Sequence, residues 1–351
     1  MPEKLLAFGF RNGPTSCPVE SFQSVVSKHH FLFRVHHEKS HVHYTQDSGF
    51  TAHRYRSGWT AVRANMEYAT IARDHAILAQ AVYGHLCNDT GSPFISTTFN
   101  LPWTLLRADL LGSRGEADVE IVIIDGTKIS SRSFFALEKL YDSNRQYSIR
   151  VCREANAAQE VLVPVQIPSA AVISRAPWKI LAEHMCMLPR WFLVSPSQIE
   201  GRNVEISSRR FMARARVRFT DQKVSRYEAI VDAVTFTCVL LQSWLRLQDI
   251  FPWKPSKETR TRISPMISAL AFEIVRWPGL LSHSERCSAE EWDWAIMKSY
   301  LDDLVGILLC QVKCPSIIIP IKALSHVISD LTDTVKLNVD DIAYRPMNSQ
   351  P

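Results

Sequence analysis

The 351 residues contain no Gly-rich phosphate loop, no Gly-x-Ser-x-Gly elbow, no His-Glu-x-x-His helix and no internal repeat. The sequence therefore carries no signal for P-loop, α/β-hydrolase, zincin or solenoid architectures. No apolar run reaches the roughly 18 residues of a membrane-spanning helix. The best stretch, Ala233 to Leu241, is short and is bounded by Asp232, Arg246 and Asp249. Residues Met1 to Phe10 lack the basic start and long apolar core of a signal peptide, so no secretion signal is expected. The eight cysteines form no C-x-x-C pair and sit mostly among apolar neighbours. That pattern fits buried thiols in a reducing compartment, hence an intracellular location, cytoplasmic or nuclear. Cys310 and Cys314, four apart on an expected helix, read as core thiols. A net charge of +5 is too small to indicate nucleic acid. With 46% hydrophobic and 21% charged residues, the chain can bury a substantial core, as two domains or as one with an extension.

Residues 1–28 hold the breakers Gly13-Pro14 and Cys17-Pro18 and read as a poorly ordered lead. A strand is expected at Phe31-Leu32-Phe33-Arg34-Val35, where Arg34 must face a ligand, an acidic partner or water. Seven histidines crowd residues 29–53: His29, His30, His36, His37, His41, His43 and His53. No carboxylate or thiol completes a ligand pattern, so they read as a polar surface loop and no metal is assigned. A helix is expected over Glu67 to Leu86, then a turn at Asn88 to Pro93, a strand at Phe94-Ile95 ending in Ser96-Thr97-Thr98, and a helix over Leu101 to Leu111. Those hydroxyls can hold a polar ligand or cap the following helix. The β-branched run Val119 to Ile124 predicts a strand closed by an Asp125-Gly126 turn. A helix over Ser133 to Tyr141 and strands at Tyr147 to Val151 and Glu160 to Val165 follow.

The texture changes after Trp178. Arg214, Arg216 and Arg218 share one face of an expected strand within a basic segment, residues 179–222, but no aromatics interleave as a nucleic-acid platform requires. Helices are expected near residues 224–248, 261–275, 289–309 and 321–337, with Asp302-Asp303 as helix-surface charges. The organisation expected is a lead (1–28), a strand-rich domain (29–178), the basic connection (179–222), a helical domain (223–340) and a tail (341–351).

Three fragments stand in order: Phe33-Arg34-Val35-His36, Phe94-Ile95-Ser96-Thr97-Thr98, and Gln159-Glu160 followed by Val161 to Pro168. Over residues 31–175 this order resembles the mono-ADP-ribosyltransferases, in the branch of the heat-labile enterotoxin and cholera toxin A chains. It is nearer to a fungal family of uncharacterised domains with a similar opening strand, a similar Phe-Ile-Ser-Thr stretch and a similar strand exit. The resemblance implies an α+β fold, an ADP-ribosyltransferase-like split β-sandwich with helices, followed by a mostly helical C-terminal region. It also implies NAD as substrate. Glu160, Arg34 and Ser96 would be catalytic, with Arg34, Val35, His36, Ser96 and Thr97 contacting NAD. Glu160 would stabilise the cation that develops at the ribose as the nicotinamide bond breaks. In arginine-modifying members a second Glu stands two residues earlier, where this chain has Ala158. Two readings result: an NAD-using transferase or glycohydrolase with an unknown protein target, or a silent domain of the same fold that binds a protein or a nucleotide.

Overall fold

The computed structural model describes residues 21–142, 147–183, 226–248, 256–281, 299, 301–303 and 305–306. The basic run around Arg214 to Arg218, the Cys310/Cys314 pair and the helix expected at 321–337 lie outside the described residues. Asp302 and Asp303 are exposed, as surface charges should be.

The chain begins with α1 (Phe22–Lys28). This segment was expected to belong to a poorly ordered lead. It is instead a helix because Ser21 caps it and Phe22, Val25 and Val26 enter the core. β1 (Phe31–His36) follows, then the hairpin β2 (His43–Thr45) and β3 (Gly49–Thr51). Next come α2 (Ala61–Arg73) and α3 (His75–Leu86). One helix was expected here. Asp74 divides it, because its carboxylate accepts from the amides of Ala76 and Ile77 at 2.8 and 3.1 Å and starts a new helix. β4 (Phe94–Thr98) leads into α4 (Leu101–Ser113), and β5 (Glu120–Asp125) follows. Short β6 (Phe134–Phe135) precedes α5 (Ala136–Asp142).

α6 (Ile149–Ala158) overturns the strand expected at Tyr147 to Val151. Tyr147, Ile149 and Val151 alternate like a strand, but the run continues through Glu154, Ala155, Ala157 and Ala158, which favour helix. The helix ends where Gln159 turns left-handed, at φ 52°. β7 (Glu160–Pro164), β8 (Gln166–Ile167), β9 (Val172–Pro177) and α7 (Trp178–Glu183) complete this half. Beyond it lie α8 (Arg226–Leu240), α9 (Gln242–Arg246) and α10 (Lys257–Leu281).

The fold is mixed α/β with two antiparallel sheets. The larger has the order β6-β7-β4-β1-β5-β9, and the smaller β2-β3-β8. Ile121 to Ile124 are fully buried, which is why β5 reads as an unbroken apolar run rather than an alternating one. The small sheet turns on Gly49, whose φ of +78° and close approach to the Ile167 carbonyl leave no room for a Cβ. Phe50 of that sheet packs edge-on against the His36 ring of β1 at 5.3 Å. α4 lies along β1 and β5. α8 and α9 cover β9, where Ser174 Oγ donates to the Leu240 carbonyl at 2.8 Å and Ser243 Oγ donates to the Arg175 carbonyl at 3.0 Å. Sheet and helices share one continuous apolar core.

A candidate active-site cleft

Register brings the three sequence-predicted residues together. β1 and β4 are neighbours, Phe33 opposite Thr98, and β4 pairs with β7 so that Thr98 faces Glu160 and Ser96 faces Leu162. Arg34, Ser96 and Glu160 therefore sit on three adjacent strands and line one cleft of about 550 Å³. That is a volume typical of small-ligand sites.

Ser96 is the hub. Its Oγ donates to Glu160 Oε1 at 2.6 Å, and its carbonyl accepts from an Arg34 guanidinium N–H at 2.7 Å. A residue overlooked in the sequence joins them. His85, on the last turn of α3, has Nε2 2.6 Å from Ser96 Oγ and Nδ1 2.7 Å from Ser92 Oγ. Because the Ser96 proton is committed to Glu160, His85 Nε2 must be the donor to Ser96. Burial, with help from the Arg34 charge, pushes His85 down to about 4, so the ring is neutral near pH 7 and its Nδ1 accepts from Ser92. The result is one directional chain, Ser92 to His85 to Ser96 to Glu160. The His85 ring also packs edge-on against Phe94 at 5.9 Å, which fixes its plane. No local spacing signals this role: His85 lies on a helix, and only the turn at Asn88 to Pro93 returns the chain to β4 beneath it.

The charges oppose one another. Burial raises the Glu160 carboxyl above its ordinary value, while the Ser96 hydrogen bond and Arg34 pull it down. Burial lowers Arg34 to about 10, which leaves it a full cation at neutral pH, supported by Glu160. Arg34 also stands 5.5 Å over the Phe50 ring. Glu160 Oε2 makes no hydrogen bond among the described residues and remains for a ligand.

The other expected contacts divide. Val35 lines the cleft, as does Thr97, whose hydroxyl is taken by the Val161 carbonyl at 3.1 Å. His36 does not line it and packs against Phe50 instead. Thr98 donates to the Ala158 carbonyl and accepts from the Asn100 amide at 2.8 Å. Asn100, not a hydroxyl of the strand, caps α4 by accepting from Trp103 N at 3.0 Å. Nor are the histidines simply a surface loop. His37, His41 and His53 line the cleft, and His29 is buried 2.8 Å from Glu273 of α10. Among the described residues no group of three metal-ligating side chains occurs.

Residues 27–181 match the family model of a domain of unknown function, DUF7587. No curated protein matches the chain. The DUF7587 match runs from the end of α1 into α7 and contains Arg34, His85, Ser96 and Glu160.

Proposed function

We propose that residues 29–178 form an ADP-ribosyltransferase-like domain that uses NAD, as a mono-ADP-ribosyltransferase or an NAD glycohydrolase with an intracellular target. One observation carries this reading: Glu160 and Arg34 are both tied to Ser96, at 2.6 and 2.7 Å, on adjacent strands facing one cleft. An antiparallel sheet with a smaller sheet packed on it also suits a split β-sandwich.

The chemistry follows from the arrangement. Cleavage of the nicotinamide–ribose bond releases neutral nicotinamide and leaves oxocarbenium-like charge on the ribose. Ser96 holds Glu160 with one oxygen engaged, so Oε2 can accept a ribose hydroxyl and stabilise that charge as it develops. Water or an acceptor nucleophile then attacks the anomeric carbon and gives up a proton. Arg34 supplies a fixed cation for the anionic part of the ligand.

Ala158 bears on the acceptor. It lines the cleft where arginine-modifying members of the resembling family carry their second Glu. A target guanidinium would find no base there, so hydrolysis or another acceptor is favoured. The same feature favours the second reading, a catalytically inactive module that binds a nucleotide or a protein.

The test is nicotinamide release from NAD by the full chain, with Glu160→Gln alongside. The substitution is expected to lower the rate by about 10²-fold or more while NAD binding is kept. Equal rates would remove Glu160 from the chemistry. NAD binding without turnover would leave the binding module, and absence of both would end the NAD reading.

A further inference from the structure

α2 buries Ala64 and Tyr68 and turns a different face outward. Val62, Met66, Ala69 and Arg73 recur at i, i+4, i+7 and i+11, so they fall on one stripe of the helix. Val62 is 70% exposed and Met66 68%, one turn apart, so the two form the centre of an apolar patch rather than a scattered exposure. Cations flank the stripe on both sides. The Arg63 guanidinium lies over the Trp59 ring, 4.8 Å from its centroid, and Trp59 is itself packed against the core. On the other side Arg132, between β5 and β6, stands 4.9 Å over the Tyr68 ring and donates to Asn65 Oδ1. Each planar cation is thereby held flat on an aromatic face. Arg63 and Arg73 are exposed and make no hydrogen bond or ion pair among the described residues. The one carboxylate of α2, Glu67, is held by Arg54 at 2.6 Å and by the Tyr55 hydroxyl, and Asp74 is spent on the cap of α3.

We propose that this face of α2 is a docking surface for an acidic, amphipathic protein segment, whose apolar side chains cover Val62 and Met66 while its carboxylates pair with Arg63, Arg132 and Arg73. Charge complementarity selects the partner, since three guanidinium groups stand here with no ion pair among the described residues. A guanidinium already stacked on a ring loses little freedom when a carboxylate takes two of its N–H groups. Arginine, methionine and tryptophan around an apolar centre is also the composition of protein interfaces. A nucleic acid would need open aromatic faces for stacking, and here the faces of Trp59 and Tyr68 are taken by the arginines. A lipid surface would need a broader apolar face than these two side chains. The surface is independent of the NAD reading, because no residue of α2 lines the cleft.

The experiment is fluorescence anisotropy of a labelled amphipathic peptide of Glu, Ala and Leu titrated with the full chain, beside a counterpart in which Gln replaces Glu. Phosphatidylserine vesicles and a single-stranded oligonucleotide serve as competitors. The acidic peptide is expected to bind, more weakly as salt is raised, and the Gln peptide to bind about tenfold more weakly or not at all. Arg63→Glu and Arg132→Glu should each weaken the acidic peptide about tenfold or more, through a lost pair and a new repulsion. Met66→Ser should weaken both peptides, and Lys257→Glu, an exposed cation on α10, should change neither. Thermal melts establish that each variant is folded; if Arg132→Glu is not, Arg63→Glu carries the comparison. No binding by wild type overturns the surface, as does equal binding of the two peptides. An equal loss in Lys257→Glu overturns it too, because net charge alone would then be read. Unchanged binding by Met66→Ser removes the apolar centre and with it the proposal. Displacement of the peptide by vesicles or oligonucleotide at lower concentration than unlabelled peptide assigns the face to another class of partner and overturns it.

Discussion

Lowering the pH should destabilise this protein through His85. Its ordinary value is 6.5, and in the fold it is pushed down to about 4, chiefly by burial. Between those values the unfolded chain takes up a proton at His85 that the native chain refuses. A depressed histidine therefore contributes stability above pH 6.5 that is lost as pH falls towards 4. At 1.36 kcal/mol per unit, the interval amounts to about 3 kcal/mol, of which about 2 kcal/mol is lost between pH 7 and pH 4.5. His36, pushed down to about 3, adds to the same slope, while the raised Glu160 acts oppositely, favouring the fold at low pH. A comparator is needed to isolate His85. His85→Gln keeps a donor for Ser96 and removes the titration. Urea unfolding of both proteins from pH 7.5 to 4.5 should give a wild-type curve that falls more steeply, the two differing by about 2 kcal/mol at the acid end beyond any constant offset. Parallel curves would refute the buried, neutral imidazole and the directional chain built on it.

Other outcomes follow from single contacts. Ser96→Ala removes the hydroxyl between His85 and Glu160 and should cost about 2 kcal/mol in urea unfolding; a loss below about 0.5 kcal/mol would mean that hydroxyl holds nothing. Asp74→Ala should cost about 1 kcal/mol through the lost α3 cap, with Asp74→Asn or Asp74→Ser largely restoring it. Gly49→Ala, which places a Cβ against the Ile167 carbonyl at positive φ, should lower stability by about 2 kcal/mol or more, and a neutral result would contradict the β3–β8 register.

What could be read from the sequence was short in range. Apolar runs located β1, β4, β5 and β7, and hydroxyls at the end of one such run marked β4 as chemically unusual. Arg34, Ser96 and Glu160 are singled out by the resemblance, whose three short fragments each fall on one strand, and strand pairing then brings them together. His85 and Arg107 had no such marker. Each faces the cleft only because its helix packs in one rotation, which depends on contacts far along the chain. The errors have the same origin. Alternation over Tyr147 to Val151 cannot be told from a helical start until the residues after it are counted. A lead that contains Phe22, Val25 and Val26 is held as a helix by a core built from distant parts of the chain, as where Val26 packs close over Gly126.

The helices expected within residues 223–340 stand far along the chain from the cleft. Yet α8 and α9 close the β9 edge of the sheet through Ser174, Ser243 and the Arg175 main chain, and α10 places Glu273 against the buried His29 beside β1. An uncovered β9 would present an open row of backbone donors and acceptors, the feature through which sheets pair with other chains. His29 without Glu273 would lose a buried charge-capable partner two residues before the strand that carries Arg34. The helices beyond residue 226 thus complete the sheet on which the cleft is built, and their packing reaches the first strand of the site through a contact 244 residues apart in the chain. A change at Glu273 should therefore be felt in the order of β1 before it is felt at any outer surface of the helices.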